Sequence, residues 1–194
     1  MNMSQIWGDF REDILAKHQL FSFEFYIDTI PPERRKQTRY LIVAFITDYL
    51  ANLFPTSEED IHSFEKHLTL KSAATYLTNE LLENSIKFHH GLVNFPITFA
   101  GYLLDKCLIF ATTNSAQEKS LEKLNIFLNE LINSDIDELY FRQLEKGAEE
   151  KSDESGLGLL SMINDYSAKL GWKIETVNQD PQITTVTTMV QLAI

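Results

Sequence analysis

Tyr76-Leu-Thr-Asn-Glu-Leu-Leu-Glu-Asn-Ser-Ile-Lys-Phe88 sets polar groups at fixed intervals inside an apolar helical pattern. Leu77, Leu81, Leu82, Ser85 and Ile86 recur at three- and four-residue steps and share one face of a helix, predicted from about Leu68 to about His89. On the opposite face Glu80 and Asn84 lie one turn apart and Lys87 follows three residues later, so a carboxylate, an amide and an ammonium project as a row. Such a row can hold a divalent cation and a phosphate chain. Taken alone, it is also what the solvated face of any amphipathic helix presents.

A second feature lies about seventy residues on. In Ser155-Gly-Leu-Gly-Leu-Leu-Ser-Met-Ile163 two glycines open an apolar helix directly after a polar run, Gly147 to Ser155, that has the composition of a loop. Backbone amides at such a helix start form a phosphate cradle, with Ser155 available either to cap the helix or to touch phosphate. The helix is expected to reach Lys169 and to stop at Gly171.

Around these two segments the chain alternates strands and helices. Leu20 to Thr29 alternates aromatic or aliphatic with polar residues, as a half-buried strand does, and Pro31-Pro32 then opens a helix through Leu53. Pro55 to Asp60 reads as a loop or helix start. Strands are expected at Val93 to Tyr102, with Pro96 near its start, and at Lys106 to Thr113. Two helices follow, Gln117 to Ile132 and Asp135 to Lys146, with Ser134 a candidate cap. Trp172 to Val177 and Ile183 to Leu192, joined through Asn178-Gln-Asp-Pro181, form a closing antiparallel hairpin. The pattern predicts an α+β domain, a two-layer sandwich with helices on one face of a mixed, mainly antiparallel sheet. That domain spans residues 20–194. Residues 1–19, with Ile6, Trp7, Phe10, Ile14 and Leu15 at helical spacing, read as a short N-terminal helical extension.

Composition narrows the function classes. The 194 residues are 44% hydrophobic, enough for one domain with a sizeable core, and carry a net charge of −11. Arg34-Arg35-Lys36 is the longest basic cluster, which argues against a nucleic-acid surface. Cys107 is the single cysteine and sits in an apolar strand pattern, so no disulfide forms within the chain. The N-terminus does not read as a secretory signal, and the apolar stretch Tyr40 to Phe54 is too short and too interrupted to span a bilayer. A cytoplasmic location, with no membrane partner, is the expectation.

Together Asn79 to Phe88 and Gly156-Leu-Gly-Leu159 resemble the asparagine box and second glycine box of the GHKL ATPase superfamily, which includes histidine kinase catalytic domains and anti-sigma-factor serine kinases. The resemblance covers roughly residue 20 to the C-terminus and implies a Bergerat-type sandwich. It implies ATP and Mg²⁺ as cofactors, with Asn84 as a neutral Mg²⁺ ligand, Glu80 as the general base, Lys87 as a phosphate contact, and Gly156 and Gly158 as the cradle. One element departs from the family: where an Asp-x-Gly-x-Gly box usually receives the adenine amino group, this chain reads Thr112-Thr-Asn-Ser-Ala-Gln117. Asn114 or Thr113 can hydrogen-bond a base there, as neutral and weaker partners.

The layout is similar to a bacterial family of small stand-alone GHKL proteins that includes kinase-like regulators of the SiaB type. What this implies is a serine/threonine protein kinase-like regulator of a small partner protein, STAS-like or response-regulator-linked, in a partner-switching system; a homodimer falls within the same expectation. The alternative is a degenerate domain that binds a regulator or another pocket ligand without catalysis. His89-His90 reads more readily as a paired surface histidine than as a phosphate or metal site, and Glu83 as a solvated or ion-paired residue.

Overall fold

The computed structural model describes residues 4–54, 61–91, 94–104, 106–150, 156–179 and 182–194. Its frame is a six-stranded sheet of β1 (Ser4–Gly8), β2 (Phe21–Phe25), β3 (Ile97–Leu104), β4 (Cys107–Ser115), β5 (Lys169–Gln179) and β6 (Gln182–Ala193). The strand order is β1-β5-β6-β4-β3-β2, and every described pairing is antiparallel. Five helices accompany it on one face: α2 (Pro32–Leu53), α3 (Ile61–Phe88), α4 (Glu118–Asn133), α5 (Ile136–Glu150) and α6 (Leu157–Tyr166). The expected two-layer α+β sandwich is what the chain forms.

Alternation along β4 shows how the layers separate. Leu108 and Phe110 point to the helices, joining Leu77, Leu81, Leu82, Trp172 and Val190 in the main core, while Ile109 and Ala111 point the other way. On that second face the one-turn helix α1 (Glu12–Leu15) drops Ile14, fully buried, onto Tyr102, Ile109 and Met189. Trp172 is the largest fully buried side chain, at 1% exposure. Trp172→Ala is expected to lower unfolding free energy by about 3–5 kcal/mol, read from denaturant melts.

The N-terminal segment differs from its expected helix. Ser4–Gly8 extends along β5, from Ser4 opposite Glu175 to Gly8 opposite Gly171, and belongs to the same sheet. Helical spacing of Ile6, Trp7 and Phe10 competes here with an open strand edge, and pairing wins: Trp7 lies opposite Trp172 and packs against the main core. Gly171 is therefore mid-strand rather than a helix stop. A Cβ on it would fall on the backbone of Asp9 and Phe10, which cross directly over it. The stop of α6 is instead Ser167, in the left-handed conformation at φ 52°, whose N–H reaches Met162 O.

Other boundaries shift for local reasons. α3 begins at Ile61, a full two turns before the expected start, and His67 Nδ1 lies 2.7 Å from Phe54 O at the end of α2. β2 is shorter than read, with Ile27–Thr29 forming a 3-10 turn. Asp135, not Ser134, caps α5 by accepting from the N–H groups of Asp137 and Glu138. The backbone of α5 runs on through Gly147 to Glu150, where a loop was expected, because Ala148, Glu149 and Glu150 are good helix formers that outweigh one glycine. The remainder of that loop with its Ser155 cap, the stretch Pro55 to Asp60, and residues 180–181 of the hairpin turn lie outside the described residues.

Candidate functional site

Between α3, α4, α6 and the helix-facing side of β4 and β6 lies a cavity of about 330 Å³. That volume suits a small molecule. Four of the expected site residues line it: Asn84 and Lys87 from α3, Asn114 from β4 and Gly156 from the start of α6. α3 contributes its row because Leu77, Leu81, Leu82 and Ser85 are all buried against the sheet, which rotates Asn84 and Lys87 toward the opening. The α4 side is an apolar wall of Leu121, Leu124 and Phe127.

Glu80 and Gly158 do not line the cavity, but they meet at its edge. A Cβ on Gly158 would fall on the Glu80 carboxylate, so this glycine is what lets the acid lie against the first turn of α6. The contact is reinforced one turn earlier, where Tyr76 is hydrogen-bonded to Ser161 and stacks on Tyr166 with ring centroids 5.1 Å apart. Gly156 takes φ +68°, a conformation few side chains tolerate, and a Cβ there would press on Phe127. Its carbonyl accepts from the N–H groups of both Leu159 and Leu160, which starts the helix tightly.

Burial pushes the Glu80 carboxyl above the usual range, and the nearby Glu83 charge adds to the effect. The Asn79 amide, donating to Glu80 Oε1 at 3.3 Å, works the other way, as do Arg39 and Lys87. Glu83 is itself ion-paired, to Arg39 of α2. Arg39 is 9% exposed and occupies a core position of α2, in step with Val43, Ile46 and Leu50. The sequence signal for this residue is a lone arginine in step with Val43, Ile46 and Leu50.

Strand parity chooses between the two candidates for base contact. Asn114 shares the helix-facing side with Phe110 and Thr112 and is 6% exposed inside the cavity wall. Thr113 points to the other face, where its hydroxyl lies 2.9 Å from that of Thr187. The Asn114 amide nitrogen donates to Ser115 O at 2.9 Å. Beside it the cavity floor holds Thr188, directly across the sheet from Thr112, and Ser85, whose hydroxyl lies 2.6 Å from that of Thr112. Sequence spacing could not reveal Thr188, because strand pairing alone brings it to Thr112.

The donor set suits a nucleotide. An apolar slot meets a polar floor, and Lys87 and Lys123, both lining residues, bring positive charge to the cavity that the α6 start also lines. Among the described residues no three His, Cys, Asp or Glu side chains form a metal cage. Asn84 as a single neutral oxygen ligand fits a Mg²⁺ held mainly by phosphates and water. His89 is not among the lining residues: it is half-buried, lies 3.3 Å from Ser115 Oγ, bridges to Ala116, and burial holds its pKa below the ordinary value.

No protein-family model matches the chain, and neither does any curated protein. The fold nevertheless has a solved counterpart among two-layer α/β sandwiches. The chain is similar to one in the crystal structure of the SiaB–SiaC complex from Pseudomonas aeruginosa, with a TM-score of 0.52 and 14% sequence identity. The alignment covers 94% of this chain and 95% of that one, so the likeness extends to the whole architecture. No described helix is long and apolar enough to cross a membrane.

Proposed function

We propose that this protein is an ATP- and Mg²⁺-dependent regulator of the GHKL type, a serine/threonine protein kinase acting on a small partner protein in a partner-switching system. The observation that carries this reading is the meeting of Glu80 with Gly158 beside a cavity lined by Asn84, Lys87, Asn114 and Gly156. Two segments far apart in sequence, each readable as a phosphate-handling motif, come together at one place. The whole-chain likeness to a structure of the SiaB–SiaC complex supports the partner-switching side of the proposal.

In this reading Lys87 and the α6 start hold the phosphates, Asn84 takes one Mg²⁺ position, and Asn114 with Thr188 faces the base. Mg²⁺, when bound, neutralises charge on the transferring phosphoryl group. Glu80 accepts the proton of the partner's hydroxyl as its oxygen bonds to the γ-phosphorus and the bond to the β–γ bridging oxygen breaks, releasing ADP. A proton affinity raised by burial suits that role, because a base is most effective when its pKa approaches the working pH.

Calorimetric titration with ATP, with and without Mg²⁺, tests the site. Magnesium-dependent binding that is lost in Asn84→Ala is the expected result. Wild-type protein that binds no nucleotide would leave the second reading, a non-catalytic module gripping a regulator or another pocket ligand. The neutral Asn114 in place of an aspartate is the observation that favours that alternative.

A further inference from the structure

We infer that the protein carries a second small-molecule site, at the β1 edge of the sheet, that takes an uncharged apolar compound bearing a hydrogen-bond acceptor. A cavity of about 290 Å³ lies there on the helix-facing side, between β1 and β5 on one wall and α4, α5 and α6 on the other. It shares no lining residue with the cavity that holds Asn84 and Lys87. The inference therefore stands independently of nucleotide binding and of catalysis.

The lining sets the body of the ligand. Leu128 and Leu131 of α4 and Ile163 of α6 close over Trp7, Leu170 and Trp172 of the sheet. Walls of this kind favour an apolar occupant, because both give up contact with water. Asp9 and Lys169 are the charged lining residues; both are exposed and their charges are opposite. The mouth thus has no net charge with which to select an ion. Its edge is held in place by the Asp9 N–H, which donates to Leu170 O at 2.8 Å, and by the pairing of Trp7 with Trp172.

One atom sets the polar requirement. The indole nitrogen of Trp7 is buried and has no hydrogen-bond partner among the described residues, and an indole N–H can only donate. No other lining side chain leaves a buried polar atom in this state. Buried donors are almost always satisfied in folded proteins, so what completes this site is an acceptor. An ordered water needs about two to four polar partners, more than one unpaired indole among apolar side chains supplies. A ketone or ether oxygen on an apolar body needs only the one.

The chain itself supplies the reporter. Trp7 and Trp172 are its two tryptophans, so a nitrogen–proton correlation spectrum of the full-length protein shows two indole signals, assignable through sequential connectivities. The probes are acetophenone and ethylbenzene, close in shape and differing by a carbonyl oxygen. Acetophenone is expected to bind saturably, to move the Trp7 indole proton downfield and to shift the methyl signals of Leu131 and Ile163. The ratio of acetophenone to ethylbenzene affinity should fall about three- to tenfold in Trp7→Phe, the size of one neutral hydrogen bond. Ile132→Tyr, at a lining position already 56% exposed, should obstruct entry and weaken both probes without disturbing the core, and it serves as the test should Trp7→Phe not fold. No saturable shift with acetophenone at about 10 mM overturns the proposal. So does a bound probe that leaves the Trp7 indole unmoved, an affinity ratio unchanged in Trp7→Phe, binding indifferent to Ile132→Tyr, or shifts confined to the cavity beside Asn84.

Discussion

Glu80→Gln is expected to lower phosphoryl transfer to a protein partner about 10²- to 10⁴-fold while leaving magnesium-dependent ATP binding intact. The amide keeps the size of the carboxyl group and can still lie against Gly158, but it cannot take a proton. Single-turnover transfer from labelled ATP, alongside calorimetric binding, separates the two effects. Transfer at the wild-type rate would remove Glu80 from the mechanism. Stability should move in the opposite direction. Burial and Glu83 raise the folded-state pKa of Glu80, so its ionised form is the less favourable one in the fold. The associated stability is present below the ordinary glutamate pKa and is lost as pH rises through the raised value. At neutral pH the Gln variant should therefore melt at the same temperature as the wild type or higher, and the difference should vanish in acid. The acid limb of the wild-type pH–rate profile should also lie above the ordinary glutamate range.

Gly158→Ala is expected to cost activity without costing the fold. The added methyl group would occupy the position of the Glu80 carboxylate, the end of a flexible side chain, so the acid swings away while α6 and α3 stay in place. Helix propensity favours alanine over glycine at this position, which offsets part of any packing strain. Displacing a catalytic group by about 1 Å can lower turnover roughly a hundredfold, and that is the size of loss expected in kcat, with a melting temperature close to wild type. Unchanged kcat would show that the Glu80–Gly158 contact has no part in turnover. A large fall in melting temperature would instead mark Gly158 as a packing residue.

Much of the fold was legible because its determinants are local. Pro31-Pro32 opens α2 where expected, and the helix ends at Leu53, the residue to which its pattern extends. Richness in β-branched residues marks the closing hairpin, and the apolar face of α3 is the one that packs on the sheet. The two largest departures sit where local preference and long-range pairing disagree. Ile6, Trp7 and Phe10 have helical spacing, yet the segment lies along β5 because that edge offers it backbone partners. Gly171 looked like a helix stop, and it is a glycine because Asp9 and Phe10 pass over it from the other end of the chain.

The candidate site divides along the same line. Sequence alone determined the row Glu80, Asn84, Lys87 and the pair Gly156, Gly158, since helical periodicity and glycine turns act over a few residues. Only the tertiary structure decided that Glu80 rests on Gly158, that Arg39 reaches Glu83 from 44 residues away, and that Asn114 rather than Thr113 faces the cavity. These relations depend on strand register and on the packing of α3 against α2 and α6. Register is settled by burial of the whole sheet face at once, a sum over residues scattered through the chain, so no short stretch of sequence contains it.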